Sequence, residues 1–154
     1  MHLFEENIKN LGLNIPELPK ALANYVPYKI VGKTMYISGQ APVQNGELIY
    51  KGKVGSDITV EDGIEAARLC VTNIIAAVKT GLKGDWGKLD SFVKLTGFVN
   101  CQDNFTDQPK IINGASDMLV EIFGDQGRHA RVAVGSNALP LGISVEIDAI
   151  VQLK

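Results

Sequence analysis

The sequence of 154 residues predicts a two-layer α+β domain in which two helices cover one face of a mixed β-sheet. Two segments carry apolar residues at helical spacing, and the segments around them are rich in β-forming residues. No Pro/Gly/Ser-rich linker divides the chain, and its length is that of one domain. The predicted order is β-β-α-β-α-β-β, within a single domain spanning residues 1–154.

The N-terminal part predicts a helical extension followed by a β-hairpin. Residues 3–11 form a short amphipathic segment that ends at Gly12, and two prolines follow, so residues 1–20 are expected to lie outside the sheet. From Tyr25 onward, two β-rich runs flank a two-residue turn that contains Gly32. Residues 41–58 carry several glycines and little periodicity, which predicts a loop with a short edge strand near residues 48–50.

The clearest single element is a helix that begins after Thr59. Thr59 followed by Asp62 resembles a capping box, and Gly81 suits a left-handed residue past the helix end. Apolar residues recur there at spacings of three and four, which places them on one face: Val60, Ile64, Ala67, Val71, Ile74 and Val78.

The second half of the chain predicts a strand, a helix and two further strands. Residues 92–99 are rich in β-formers, Pro109 opens a helix that Gly124 ends, and residues 130–136 and 143–153 form the last two strands. The sheet face that the helices leave uncovered is expected to be apolar, which predicts an oligomer interface: Phe92, Phe98, Val132 and Val134.

The composition disfavours several classes of partner. A net charge of -2 with scattered basic residues argues against nucleic-acid binding. No apolar run is long enough to span a membrane and the N-terminus lacks a targeting pattern, so we expect a cytoplasmic protein. Cys70 and Cys101 lack CxxC spacing and are predicted to be free thiols, and the two histidines form no ligand-spaced cluster, so no metal is expected.

Arg131 is the residue that most clearly suggests a functional site. It lies in an otherwise neutral predicted strand, where a charged side chain is disfavoured unless it is paired or exposed. Either it pairs across strands with Glu146 or Asp148, or its planar guanidinium binds the carboxylate of a substrate. Gly39, next to Ser38 at the end of a strand, offers a place where a ligand can approach the backbone closely.

Several segments resemble the reactive intermediate deaminase (Rid, YjgF-like) family. They are the hairpin end at residues 37–43, the strand at residues 93–99, and the spacing from Arg131 to Leu139-Pro140 and then to Glu146 in the last strand. The resemblance implies a chorismate-mutase-like fold, assembled as a homotrimer with clefts at the subunit interfaces.

The same resemblance implies hydrolysis of 2-imino or enamine acids to 2-keto acids and ammonia, as in 2-iminobutanoate/2-iminopropanoate deaminases. An imine carbon is already electrophilic, so the protein needs only to orient the acid, position a water and move a proton, without a metal or cofactor. By position, Arg131 would hold the substrate carboxylate and Glu146 would handle the attacking water. The expected further substrate contacts are Tyr25, Ser38, Gly39, Asn113 and Ala133, the last in place of a cysteine that family deaminases often carry.

Two alternative functions use the same framework. A non-catalytic trimer could bind 2-keto acids or other small carboxylates through Arg131 without needing Glu146. Endoribonuclease activity, with which the family is often labelled, is disfavoured because an RNA-cleaving protein should carry a basic footprint. The expected partners are therefore a small carboxylate and further copies of the chain, with no nucleic acid and no membrane.

Overall fold

A computed structural model describes residues 1–18 and 23–154 of the chain. Its α+β architecture confirms the predicted fold class. The helices are α1 (Leu3–Asn10), α2 (Val60–Gly81) and α3 (Gln108–Phe123), with short 3-10 turns at Trp86–Lys88, Gly124–Gly127 and Pro140–Gly142. The strands are β1 (Tyr28–Val31), β2 (Thr34–Gln40), β3 (Val43–Gln44), β4 (Glu47–Leu48), β5 (Leu89–Asn100), β6 (Ala130–Ser136) and β7 (Val145–Leu153).

Five strands form one mixed sheet in the order β1-β2-β7-β5-β6. Every neighbouring pair is antiparallel except β5 and β6, which are parallel and joined by the crossover helix α3. The predicted inner faces of α2 and α3 are buried: Ala67, Val71, Ile74 and Val78 of α2, and Ile112, Ala115, Leu119 and Ile122 of α3, are fully enclosed. The opposite face of the sheet carries no helix among the described residues.

The predicted N-terminal helix packs on the end of the helical layer. The ring of Phe4 lies 4.9 Å from that of Phe123 and 6.1 Å from that of Trp86, centroid to centroid. Asn7 Nδ2 donates a 2.7 Å hydrogen bond to Ile122 O, which covers one of the free carbonyls at the end of α3. Residues 19 and 20 of the predicted extension lie outside the described residues.

The loop predicted at residues 41–58 contains a small hairpin instead of a single edge strand. Strands β3 and β4 pair around Asn45 and Gly46, whose φ angles are 52° and 79°. Two consecutive positive φ angles are typical of a type I′ turn, and Asn-Gly is the sequence that favours it. The Asn-Gly pair was therefore the signal in the sequence that could have located this hairpin, which the sequence analysis did not predict.

Helix α2 begins as predicted but ends differently. Thr59 Oγ1 accepts a 3.1 Å hydrogen bond from Asp62 N, as a capping residue should. Gly81 remains helical, so its predicted left-handed role is wrong. The left-handed residues are Lys83 and Gly84, with φ angles of 54° and 77°. The lack of a side chain at Gly81 instead makes room for Met35, since a Cβ there would lie 2.5 Å from Met35 Cε.

The assignment of Phe92 to the uncovered sheet face is wrong. The pairing of β5 with β7 shifts between Phe92 and Lys94, and this bulge turns Phe92 toward the helices. Its side chain is buried, with its ring 5.0 Å from that of Phe123. Past the bulge the alternation is as predicted, and Val132 and Val134 on β6 remain about two-fifths exposed, at 40% and 39%.

No helix among residues 1–18 and 23–154 is both long and apolar enough to cross a membrane.

Candidate functional site

Arg131 lies on the edge strand β6 and faces the helical layer. It is in register with Leu95 of β5, which is fully buried beneath the helices. Its Nη1 donates to Asn113 Oδ1 at 2.8 Å and to Ser116 Oγ at 3.2 Å. Asn113 and Ser116 are three residues apart on α3, a spacing that places both on the same side of the helix.

The guanidinium of Arg131 has polar but uncharged partners. Four ion pairs occur in the described part of the chain, and none of them includes Arg131. The predicted alternative of a cross-strand pair with Glu146 or Asp148 is wrong, because β5 separates β6 from β7. A positive charge that is held in place without a carboxylate partner is suited to binding an anionic ligand.

Ala133 follows Arg131 on the same side of β6. It is in register with Gly97 of β5, and its methyl group packs against the edge of the core. The structure thus brings together Arg131 and two of its predicted neighbours, Asn113 and Ala133. We call the group Asn113, Ser116, Arg131 and Ala133 the arginine half.

Ser116 belongs to this group but was not among the predicted site residues. Its spacing of three residues from Asn113 on a predicted helix was the signal that could have found it. His129 was also missed as a neighbour. Its Nε2 lies 2.9 Å from Ser116 Oγ, and it precedes Arg131 by two residues on the same side of the strand.

Glu146 lies on β7, on the uncovered face of the sheet. Its neighbours Val145 and Ile147 point into the core and are fully buried, so the carboxylate points the other way. Burial raises the pKa of Glu146, and the negative charge of Asp148 two residues along the strand raises it further. This carboxyl group is thus easier to protonate than an exposed glutamate.

Gly39 makes room for the Glu146 carboxylate. The pairing of β2 with β7 is irregular between Ile37 and Gln40, and Gly39 lies within that irregular stretch. A Cβ at Gly39 would overlap Glu146 Oε1. The absence of a side chain at residue 39 is therefore what lets the carboxylate lie against the backbone of β2.

Ser38 ties the segment that carries Tyr25 to the same strand. Its Oγ donates to Val26 O at 2.6 Å, and its backbone N–H donates to Pro27 O at 3.0 Å. Because the N–H of Ser38 is already used, it is not free for a ligand. Tyr25 itself is 54% exposed. We call the group Tyr25, Ser38, Gly39 and Glu146 the glutamate half.

The two halves lie on opposite faces of the same sheet. Arg131 faces the helices from β6, whereas Glu146 faces away from them on β7, with the whole of β5 between the two strands. Two strand spacings amount to about 10 Å, in addition to the thickness of the sheet. One folded chain therefore does not bring the arginine and the glutamate into a common site.

The sequence from residue 5 to residue 151 matches the family described as "YjgF/chorismate_mutase-like, putative endoribonuclease". The chain belongs to this YjgF-like Rid family. The predicted family membership is thus confirmed, and the family includes the RidA deaminases.

Relatives of this YjgF-like chain cover nearly its whole length. Protein TCP17 of Trypanosoma cruzi is 39% identical over 149 residues, which are 96% of this chain and 92% of TCP17. The crystal structure of Atu1372 from Agrobacterium tumefaciens is 44% identical, covers 99% of this chain and 93% of Atu1372, and has a TM-score of 0.93. The structure of TdcF from E. coli with bound serine is 28% identical over 88% of this chain and 93% of TdcF, with a TM-score of 0.62.

Two clefts in the described part of the YjgF-like chain lie away from both halves. A cleft of 320 Å³ separates residues 12–17 of the extension from the β3–β4 hairpin and α2, and a second of 270 Å³ lies near Cys101 and Gly135. Among the described residues, no group of three His, Cys, Asp or Glu side chains is placed to hold a metal ion. Cys70 and Cys101 are free and buried, and burial raises the pKa of Cys70.

Proposed function

We propose that this protein is a cofactor-free hydrolase that converts 2-imino or enamine acids to 2-keto acids and ammonia, at clefts between the protomers of a homotrimer. The observation that carries the proposal is the guanidinium of Arg131, which Asn113 and Ser116 hold and which has no carboxylate partner among residues 1–18 and 23–154. Membership of a family that includes the RidA deaminases supports the same reaction class.

In this proposal Arg131 binds the substrate carboxylate. A guanidinium presents two parallel N–H groups to the two oxygens of a carboxylate, which fixes both the position and the orientation of a small acid. Both intramolecular hydrogen bonds use Nη1, so the remaining nitrogens Nε and Nη2 can face the ligand. The serine bound to the relative TdcF is an amino acid, and a 2-imino acid has the same α-carboxylate.

Glu146 serves as the acid-base group. The water oxygen adds to the carbon of the protonated imine, the C=N electron pair moves to nitrogen, and the proton lost by the water passes to Glu146. The carboxylic acid then returns this proton to the nitrogen of the carbinolamine. The carboxylate takes the remaining hydroxyl proton as the C=O bond forms and the C–N bond breaks, and it passes this proton to the departing ammonia, which leaves as ammonium. A carboxyl with a raised pKa suits both directions of transfer, because it exchanges protons more readily near neutral pH.

The separation of the two halves is the argument for a composite site. Because one chain holds Arg131 and Glu146 on opposite faces, the glutamate that works with a given arginine would come from a neighbouring protomer. Apolar side chains exposed on the uncovered face suit contact with another copy, among them Tyr36 at 49%, Val132 at 40% and Val134 at 39%. The trimeric state and the cytoplasmic location remain predictions, and light scattering measures the first.

The decisive assay generates a 2-imino acid in place with an amino acid oxidase and follows its disappearance and the release of ammonia. Wild-type protein is expected to accelerate hydrolysis, and Arg131→Ala and Glu146→Gln to lose the acceleration. Arg128→Ala and Glu121→Gln are matched controls, since both residues are exposed and belong to neither half.

Other results would identify the alternatives. The protein would be a non-catalytic carboxylate binder if it binds a 2-keto acid but does not accelerate hydrolysis. In that case binding should be retained in Glu146→Gln and lost in Arg131→Ala. Cleavage of RNA by wild-type protein, in the absence of imine hydrolysis, would favour the endoribonuclease activity in the family's description.

A further inference from the structure

A chain of hydrogen bonds runs from Arg131 back to the turn after α3. Arg131 Nη1 donates to Ser116 Oγ at 3.2 Å, Ser116 Oγ lies 2.9 Å from His129 Nε2, and His129 Nδ1 lies 2.7 Å from Gly127 O. Arg131 and His129 lie two residues apart in the sequence, and Ser116 connects them from the facing helix α3.

The directions of these hydrogen bonds follow from the groups themselves. A carbonyl oxygen only accepts, so His129 Nδ1 carries the proton that is donated to Gly127 O. In the neutral ring Nε2 then has no proton, so it accepts from the hydroxyl of Ser116. With its hydrogen committed to His129, Ser116 turns a lone pair toward Arg131, and every step runs donor to acceptor.

We propose that His129 is a positioning residue for Arg131, acting through Ser116 so that the guanidinium is held in place to receive the substrate carboxylate. The inference rests on the proposed function in so far as the ligand is a carboxylate. His129 would act by fixing which way the Ser116 hydroxyl points, and without that acceptor the hydroxyl could rotate and lose its alignment with Nη1.

Two further features, the lowered pKa of His129 and the packing of Gly127, support this positioning role. Burial lowers the pKa of His129 more than the hydrogen bond to Gly127 raises it, and the positive charge of Arg131 makes a smaller contribution that also lowers it. The turn that presents Gly127 O also packs closely against α3, since a Cβ at Gly127 would overlap the carbonyl of Leu119. The carbonyl that accepts from His129 is therefore part of a tightly packed contact between this turn and the helix.

Two substitutions of His129 separate positioning from a merely structural role. In His129→Gln the side-chain amide reaches the place of Nε2 and can still accept from Ser116. In His129→Asn the shorter amide reaches the place of Nδ1, so it keeps the contact with Gly127 and loses Ser116. We expect His129→Asn and Ser116→Ala to raise KM about fivefold with kcat little changed, which corresponds to one lost hydrogen bond, and His129→Gln to behave like wild type.

A second readout does not depend on catalysis. The chain has two histidines, so ¹⁵N spectra of the rings contain few signals. We expect His129 to be the Nδ1–H tautomer at pH 7.5, and its Nε2 signal to change in Ser116→Ala. An Nε2–H or doubly protonated ring, or equal effects of the Asn and Gln substitutions on KM, would overturn the proposal.

Failure of the proposed function would look different. If wild-type protein neither hydrolyses 2-imino acids nor binds pyruvate in a calorimetric titration, then the proposed function is wrong. This conclusion holds for either tautomer of His129. If wild-type protein binds pyruvate but His129→Asn binds it equally well, the function stands and the positioning role of His129 is wrong.

Discussion

The carboxylate of Glu146 lies against the backbone of Gly39, in the space that a side chain at residue 39 would take. The contact joins β7 to the irregular stretch of β2 on the uncovered face of the sheet. It fixes the position of the proposed acid-base group from outside its own strand.

Replacing Gly39 by alanine should therefore move the Glu146 carboxylate. The φ angle of Gly39 is not positive, so alanine can adopt the backbone conformation. The added methyl overlaps a flexible carboxylate and no backbone atom, so we expect the variant to fold. The expected loss in kcat for imine hydrolysis is about 10- to 100-fold, because proton transfer depends on placement. Steady-state kinetics and circular dichroism measure the two effects.

A double-mutant cycle gives this prediction its control. If Gly39→Ala acts by displacing Glu146, then adding it to Glu146→Gln should cost little further activity. Independent, multiplying losses would show that Gly39 acts in some other way.

The raised pKa of Glu146 should appear in the pH dependence of activity. If the ionised carboxylate accepts a proton from water, kcat/KM rises as pH increases through the pKa of Glu146. Because that pKa is raised, the rise should lie above the ordinary glutamate value of 4.5. The charge of Asp148 is the second cause of that raised pKa. We therefore expect Asp148→Asn to move the rising limb to lower pH, and a limb that stays in place in this variant would contradict the assignment.

The same pKa shift predicts a stability difference. A carboxyl whose pKa is raised on folding contributes stability below its unfolded pKa, and this contribution is lost as pH rises through the folded pKa. Because Glu146→Gln stays neutral, it should melt at a higher temperature than wild type at pH 7, and the difference should vanish at about pH 4. Differential scanning calorimetry at equal protein concentration tests this, with Glu121→Gln as the exposed control. A Tm difference that does not vary with pH would rule out ionisation as its cause.

The opposite placement of the two halves predicts complementation between inactive variants. In a trimer whose sites take Arg131 from one protomer and Glu146 from the next, co-expressed Arg131→Ala and Glu146→Gln chains would form some intact sites. Random mixing should restore roughly a quarter of wild-type activity. Each variant alone should remain inactive.

A pair of variants within one half provides the comparison. Mixing Arg131→Ala with Asn113→Ala should give no gain above the mean of the two, since both residues belong to the arginine half. A mixture of the Arg131 and Glu146 variants that stays inactive, although mixed oligomers are demonstrated, would exclude a site shared between protomers.

The sequence alone determined the elements and, for most residues, the face that each presents. Helical spacing identified α2 and α3 because a helix on a sheet must bury one stripe, and strict alternation placed Glu146 opposite the apolar row of β7 because side chains alternate along a strand. Arg131 was noticeable as a charge in a neutral strand. The spacing from Arg131 to Glu146 carried the resemblance to the YjgF-like family, which the family comparison confirmed.

Only the tertiary structure decided which elements are neighbours. The order β7-β5-β6 separated Arg131 from Glu146 and Asp148, its predicted alternative partners, and the position of α3 supplied Asn113 and Ser116 in their place. A bulge reversed the face of Phe92, and irregular pairing of β2 brought Gly39 against Glu146. These relationships depend on contacts between residues far apart in the chain, whereas periodicity reports only on neighbours along it.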